Sequence, residues 1–304
     1  MHQDAAPVVV IGDALIDELR DGRSVKELVG GAALNVAVGL VRLGVPATLI
    51  AMVGDDEAGA HIRAYLHDYG VGLLNTVGPR GSSRAVSTRT AGEPVYEFND
   101  AAQHRRVEYG PEERAAIARA PMVVVSCFPF DDAEQVAALA EAVRGRPLVI
   151  DPNPRAGMLH DREAFVRGFA ALVPRCELVK VGDDDTQLLY GDDLDVVRRQ
   201  LGADGARAVL ATAGAAGATL DAAGAEITVP VATMPGRVID TMGGGDAVLA
   251  SIVASMVQDA PADAVEWEEA LVRAMRVAAA TVRFEGALLR HPDAVTMDLD
   301  RLGT

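Results

Sequence analysis

Short apolar runs recur along the chain, and longer Ala- and Leu-rich stretches lie between them. Pro7–Ile11, closed by Gly12, predicts a buried strand. Ala14–Val29 turns polar and irregular, and Ala32–Leu43 has the composition of a helix, stopped by Gly44 and Pro46. Ala47–Val53 predicts the next strand and Asp56–Tyr69 the next helix. Strands and helices in this order predict a parallel sheet with crossover helices.

Arg84–Asn99 breaks the alternation. A-V-S-T-R-T and V-Y-E-F-N flank A-G-E-P, which predicts an inserted hairpin. Alternation then resumes. Strands are expected at Pro121–Ser126, Pro147–Asp151, Leu178–Val181 and Arg207–Thr212, with helices at Ala133–Arg144, Arg162–Leu172, Asp184–Leu189 and Leu194–Leu201. Ala218–Asp221 and Glu226–Pro230 predict a closing antiparallel pair. Helices at Gly244–Gln258 and Ala264–Arg283 complete an α/β fold. No internal repeat and no dividing linker is visible, so residues 1–304 are read as one domain.

Half of the residues are hydrophobic, ample for a core, and the net charge is −16. So acidic a surface repels nucleic acid and anionic membrane, and no basic stripe offsets it. The amino terminus has no basic region followed by an apolar one, and no segment is apolar for long enough to span a bilayer. A soluble, cytoplasmic protein is expected. Cys127 and Cys176 each sit by an apolar run and read as buried thiols rather than a disulfide. His61 and His67 are not on one helical face, and neither G-x-S-x-G nor a Walker A lysine motif occurs.

The most informative stretch is V-I-D-T-M-G-G-G-D at Val238–Asp246, followed by an apolar helical run. Glycines ahead of a helix start let several N–H groups point one way, where the helix dipole favours an anion. Asp246, at that junction, is either a helix cap or a general base taking a proton from a hydroxyl. D-T-M-G-G-G-D resembles the C-terminal signature D-T-x-G-A-G-D of the ribokinase-like (PfkB) carbohydrate kinases, and G-G-A-A-L-N-V-A-V-G-L-V-R-L-G at Gly30–Gly44 resembles their N-terminal signature.

The resemblance implies a three-layer α/β/α sandwich with a mostly parallel central sheet and a small β-lid built from about residues 17–29 and 84–99. It implies ATP, Mg²⁺ and K⁺ as cofactors, and a sugar as substrate. Asp246 becomes the base and Gly243, Gly244 and Gly245 the cradle for the transferred phosphoryl group. Asp13, Asp17, Gly30, Gly31 and Asn35 fall on sugar-binding positions, and G-D-A-L-I-D is close to the fructokinase pattern G-E-A-L-I-D. Asn153 and Arg155, in D-P-N-P-R, match the D-P-N-x-R of fructokinase-like members. Lys180 and Asp185 fall at the family's N-x-x-E position, where Gly182 replaces Asn and Asp185 replaces Glu; Asp185 is the expected Mg²⁺ residue. Thr212, Gly214 and Gly217 resemble the nucleotide-contacting T-x-G-x-x-G, and Asp240 with the Gly286 carbonyl is the implied K⁺ site.

These motifs favour a fructokinase-like enzyme. Against that, Asn99 and Asp100 stand where such kinases often carry Tyr-Arg. Lacking that arginine also weighs against an acidic sugar. A ribokinase or a nucleoside kinase, with Tyr96 or Phe98 stacking on a base, and a non-catalytic sugar or nucleotide sensor are the alternatives. An apolar lid face would make a homodimer.

Overall fold

In the computed structural model the described residues are 5–20, 25–90 and 93–295. The chain runs β1 (Val8–Gly12), β2 (Leu15–Arg20), β3 (Val25–Gly30), α1 (Ala32–Arg42), β4 (Ala47–Val53), α2 (Glu57–Asp68), β5 (Gly72–Val77), β6 (Ser83–Thr90) and β7 (Glu93–Phe98). There follow α3 (Asp100–Gln103), α4 (Pro111–Arg119), β8 (Val123–Ser126), α5 (Ala133–Ala142), β9 (Leu148–Asp151), α6 (Arg162–Ala170) and β10 (Cys176–Gly182). Then come α7 (Asp183–Tyr190), α8 (Leu194–Ala203), β11 (Val209–Thr212), β12 (Ala218–Ala222), β13 (Ala225–Val229), α9 (Gly244–Gln258) and α10 (Ala264–Thr281).

The large sheet has the order β13-β12-β11-β10-β9-β8-β1-β4-β5. From β11 across to β5 every pairing is parallel, and β12 and β13 close one edge antiparallel, as the sequence predicts. Successive residues of one strand serve opposite cores. Val8 and Val10 pack with Ala33, Leu40, Ile62, Leu249 and Leu271, from α1, α2, α9 and α10. Val9 and Ile11 pack with Ile117, Leu139, Phe165 and Leu201, from α4, α5, α6 and α8. Such two-sided burial explains why the strands read as unbroken apolar runs. Three layers result.

The second sheet has the order β3-β2-β6-β7. Its centre is a parallel pairing of β2 with β6, so the segment after β1 and the inserted hairpin are knitted together. The polar stretch Ala14–Val29 is thus two strands, not irregular backbone; its residues 21–24, and 91–92 of the hairpin, lie outside the described residues. One face of this sheet carries Asp17, Ala85 and Phe98 toward a cleft. The other carries Glu18, bonded by Arg20 Nε at 2.6 Å, and Arg84, which donates to Glu27 at 2.6 Å.

Three elements carried too weak a pattern to be predicted, the one-turn α3 among them. β5 (Gly72–Val77) sits at the sheet edge, and its Asn75 side chain accepts the Val53 N–H. α4 (Pro111–Arg119) buries only Ile117. Both cysteines are free and buried. No described helix is long and apolar enough to cross a membrane.

Candidate active site

β1 sits between β4 and β8, where the chain's successive strands turn from one direction across the sheet to the other. Ligands of open α/β sheets bind beyond the carboxyl ends of the strands at such a point. A cleft of about 1060 Å³ opens there, between the large sheet and the small one. Among its walls are Asp13, Asp17, Gly31, Asn35, Asn153, Arg155, Lys180, Asp185, Thr212, Gly214, Gly217, Asp240, Gly243, Gly244, Gly245 and Asp246. Gly30 and Gly286 lie one step behind it, each packed on a cleft element (below).

Asp246 lies in the first turn of α9 and is buried. It does not cap that helix. The cap position is Gly243, in left-handed backbone with φ 74°, and no side chain bonds the helix start. Instead Asn35 Nδ2 donates to Asp246 Oδ2 at 2.8 Å, joining the two signature segments. Burial raises the Asp246 pKa, against the pull of Asn35, Lys180 and Arg155. A carboxylate raised this way and facing a cleft is suited to accept a proton.

Beside it the helix start is a donor cradle, with one change from expectation. The Gly244 N–H donates to Thr241 O at 3.2 Å, so it is taken. Among the described residues no acceptor serves the N–H groups of Gly243, Gly245 or Asp246. The free donors are therefore these three. Gly243 has a second reason to be glycine: a Cβ there would lie 2.6 Å from Ala287 Cα.

A buried ion cluster faces the cradle. Lys180 Nζ lies 3.2 Å from Asp151 Oδ1 and 3.9 Å from Asp185 Oδ2. A Cβ on Gly245 would come within 3.3 Å of the same Nζ. Burial works against the ammonium, but Asp151, Asp185 and Asp246 outweigh it and hold the Lys180 pKa above its usual value. Asp151, fully buried at the end of β9, was not singled out in the sequence; its signal was a carboxylate closing an otherwise apolar strand. Asp185 Oδ2 accepts the Gly182 N–H at 2.7 Å, so it ties its own helix start while one oxygen stays open. Asp183 and Asp184 line the same wall, but no group of three or more metal-ligating side chains gathers among the described residues, so a Mg²⁺ here would be held largely through water.

At the other end of the cleft the small sheet adds Asp17. A Gly30 Cβ would lie 2.2 Å from Asp17 Oδ2, so the glycine makes room for this carboxylate. Burial first, then Asp13, and further Asp246 and Asp240, push the Asp17 pKa up to about 7, with Arg155 opposing. Asp13 is not a solvated loop acid: it is buried, and Oδ1 accepts the Ala33 N–H at 3.0 Å at the start of α1. Gly31, at φ 111°, permits this turn. Asn153 has φ 39° ahead of Pro154, a backbone that L-residues seldom adopt, and it is buried against the cleft. Phe98 packs with Ala32, Ala102, Cys127 and Met158 as an apolar wall. The Tyr96 side chain lies outside the described residues.

The raised Asp17 has a pH consequence. As the ionised form is the better acceptor for sugar hydroxyls, KM for sugar is expected to rise as pH falls through about 7. Stability runs the other way. A carboxyl whose pKa is higher folded than unfolded stabilises the fold below its unfolded value, and that contribution is lost as pH rises through about 7. Thermal unfolding of the unliganded protein should therefore show Tm falling by about 2–5 °C from pH 5 to 8, and Asp17→Asn should flatten the slope.

The opposite end suits a nucleotide. Val231 and Val238 are exposed at 40% and 55%, and they line the cleft with Met275, Ala279 and Val282. Gly217, at φ 103°, lies where a Cβ would meet Val229 O at 2.4 Å. Asp240 Oδ1 accepts the Met242 N–H and Oδ2 the Gly286 N–H, both at 3.0 Å. That pairing joins the two segments expected to hold K⁺, with carboxylate lone pairs to spare.

Comparison with known proteins identifies the family. Residues 4–294 match the pfkB family carbohydrate kinase, and the chain belongs to that family. It is an ATP-dependent sugar kinase by that membership. It is 28% identical over 309 residues to Fructokinase-1 of Oryza sativa subsp. japonica, covering 95% of each chain. A crystal structure of fructokinase with bound ATP from Xylella fastidiosa superposes with TM-score 0.81 at 22% identity, covering 98% of this chain and 99% of the other. Aminoimidazole riboside kinase from Salmonella enterica, complexed with aminoimidazole riboside and an ATP analogue, superposes with TM-score 0.77 at 24% identity, covering 96% and 99%.

Proposed function

We propose that the enzyme phosphorylates an unmodified ketohexose, fructose in the first instance, with ATP as donor. The observation that supports this is the Asn35–Asp246 bond at 2.8 Å, which ties Asp246, beside the free N–H groups of α9, to the segment proposed to hold the sugar. Asp17, Asp13, Gly31 and Asn35 hold sugar hydroxyls, with Asn153 and Arg155 closing the site. Asp246 accepts the proton of the attacking hydroxyl. The N–H groups of Gly243, Gly245 and Asp246, with Lys180 beside them, take up charge on the moving phosphoryl oxygens. Thr212, Gly214 and Gly217 flank the nucleotide. Bound Mg²⁺ supplies charge neutralisation between phosphates, and Asp185 with its neighbours on α7 would hold it; Asp240 and the Gly286 carbonyl would hold K⁺. The small sheet acts as the lid, bringing Asp17 over the sugar and excluding water. Its outer face is the surface on offer for a homodimer. The catalytic parts leave the sensor alternative without support, since a binder has no use for a base.

A coupled ADP-release assay with fructose, ribose, 2-keto-3-deoxygluconate, adenosine and aminoimidazole riboside tests the reading, run with K⁺ and again with Na⁺. Fructose is expected to give the highest kcat/KM, and K⁺ the faster rate. The apolar Phe98 wall could instead receive a base, so turnover led by a nucleoside would overturn the hexose assignment while keeping the kinase.

A further inference from the structure

Away from the cleft, at the far end of α1, two arginines stand without acids. Among the described residues, neither the Arg42 nor the Arg290 guanidinium meets a carboxylate or any hydrogen-bond acceptor, in a chain with 44 acidic residues. The Nε atoms of both are buried and unpartnered. A buried donor left unmet is costly, so this pair points to a missing acceptor. Arg42 lies 5.8 Å from the Tyr69 ring centroid, and Tyr69 lies 4.8 Å from the Tyr65 ring. Burial first, then Tyr69, push the Tyr65 pKa up to about 12, and the charges of Arg42 and Arg290 oppose that rise. His291 Nε2 donates to Arg42 O at 2.7 Å, which seats the Arg290–His291 segment against the end of α1. Arg290 Cζ lies over the Phe284 ring, 4.7 Å from its centroid.

We propose that Arg42 and Arg290, with the Tyr65 hydroxyl, form a binding site for a small phosphoryl oxyanion, separate from the catalytic cleft. Guanidinium forks recognise tetrahedral oxyanions through paired N–H donors, and a tyrosine hydroxyl adds another. The site lies about 16 Å from Gly31 along α1, since a helix rises about 1.5 Å per residue. It is not isolated from the cleft. Leu289 packs where a Gly39 Cβ would lie 3.1 Å away, and Ala287 closes on Gly243. One short segment thus runs from the phosphate cradle to Arg290.

Calorimetric titration of inorganic phosphate into the protein, with a non-hydrolysable ATP analogue and Mg²⁺ filling the cleft, tests the site independently of the sugar assignment. Phosphate is expected to bind, and Arg42→Met and Arg290→Met each to weaken it at least tenfold while leaving analogue binding in place. Should either Met variant fail to fold, Arg42→Lys and Arg290→Lys keep the charge but lose the fork, and weakening by about threefold or more is expected. No phosphate binding to the analogue-saturated wild type, or affinity unchanged in the Arg variants, would overturn the proposal. A parallel titration with glycerol phosphate separates the sources: tighter binding than phosphate marks a phosphorylated metabolite, and equal binding marks the free ion.

Discussion

Asp246→Asn should leave the fold unchanged and lower kcat by about 10²–10⁴, the usual scale for removing a general base. The amide is isosteric and can keep the bond to Asn35 by turning its oxygen toward Nδ2. It also removes a buried charge, so Tm should hold or rise slightly. KM for sugar should move little, because the hydroxyl-holding groups are elsewhere. The pH profile supplies a second readout. The acid limb of kcat that belongs to Asp246 should vanish in the variant, leaving a residual rate with a flatter profile. A variant that keeps near-normal kcat would remove the base assignment.

Gly243→Ala should be the most damaging substitution among the three cradle glycines. Its φ of 74° strains any L-residue, and the new Cβ would sit 2.6 Å from Ala287 Cα and 2.7 Å from Ala287 O. Backbone cannot swing aside as a side chain can. The start of α9 must shift, and with it the cradle and Asp246; a misplacement of about 1 Å is enough to cost roughly 10² in rate. A stability loss of about 2–4 kcal/mol should accompany it. Gly244→Ala is the control. Its φ is not positive, its Cβ would meet only Val282 Cγ1 at 3.2 Å, and its N–H already serves Thr241. It should stay within about threefold of wild type in kcat, with Tm changed by little. Parallel kcat and thermal-unfolding measurements on the pair decide whether the cradle depends on backbone shape at Gly243; equal effects would contradict it.

The glycine pair also shows how far sequence carries. Three successive glycines before an apolar run announce an anion cradle, but which N–H groups are free depends on where Thr241 O falls, and only coordinates place it. Likewise Asp151 looked like the last residue of a strand with a rigid exit. Its role emerges because β10 brings Lys180 alongside in a parallel register, a relation between segments that periodicity does not encode. The central strands and the helices packed over them were legible because burial on both faces leaves a strong apolar signal. β5 and α4, at the edge and on the surface, bury too little to leave one. β2 and β3 were hidden differently: Asp17 serves the cleft and Glu18 an ion cluster, so their alternation carries charges where apolar residues would mark a strand. There the family resemblance points to residues that the structure folds into the small sheet, where the residue pattern alone reads as irregular backbone.

The sheet order has a consequence for synthesis on the ribosome. β1 lies in the interior of the sheet, yet it is made first, and β4 and β5 add to only one of its edges. Its other edge must wait for β8, after the small sheet and α4 have been made. Until then a row of apolar residues with unpaired backbone groups is open to any other strand, the situation that drives edge-to-edge association. The nascent chain is therefore most vulnerable between the completion of β5 and the arrival of β8, and truncations ending in that interval should be the insoluble ones.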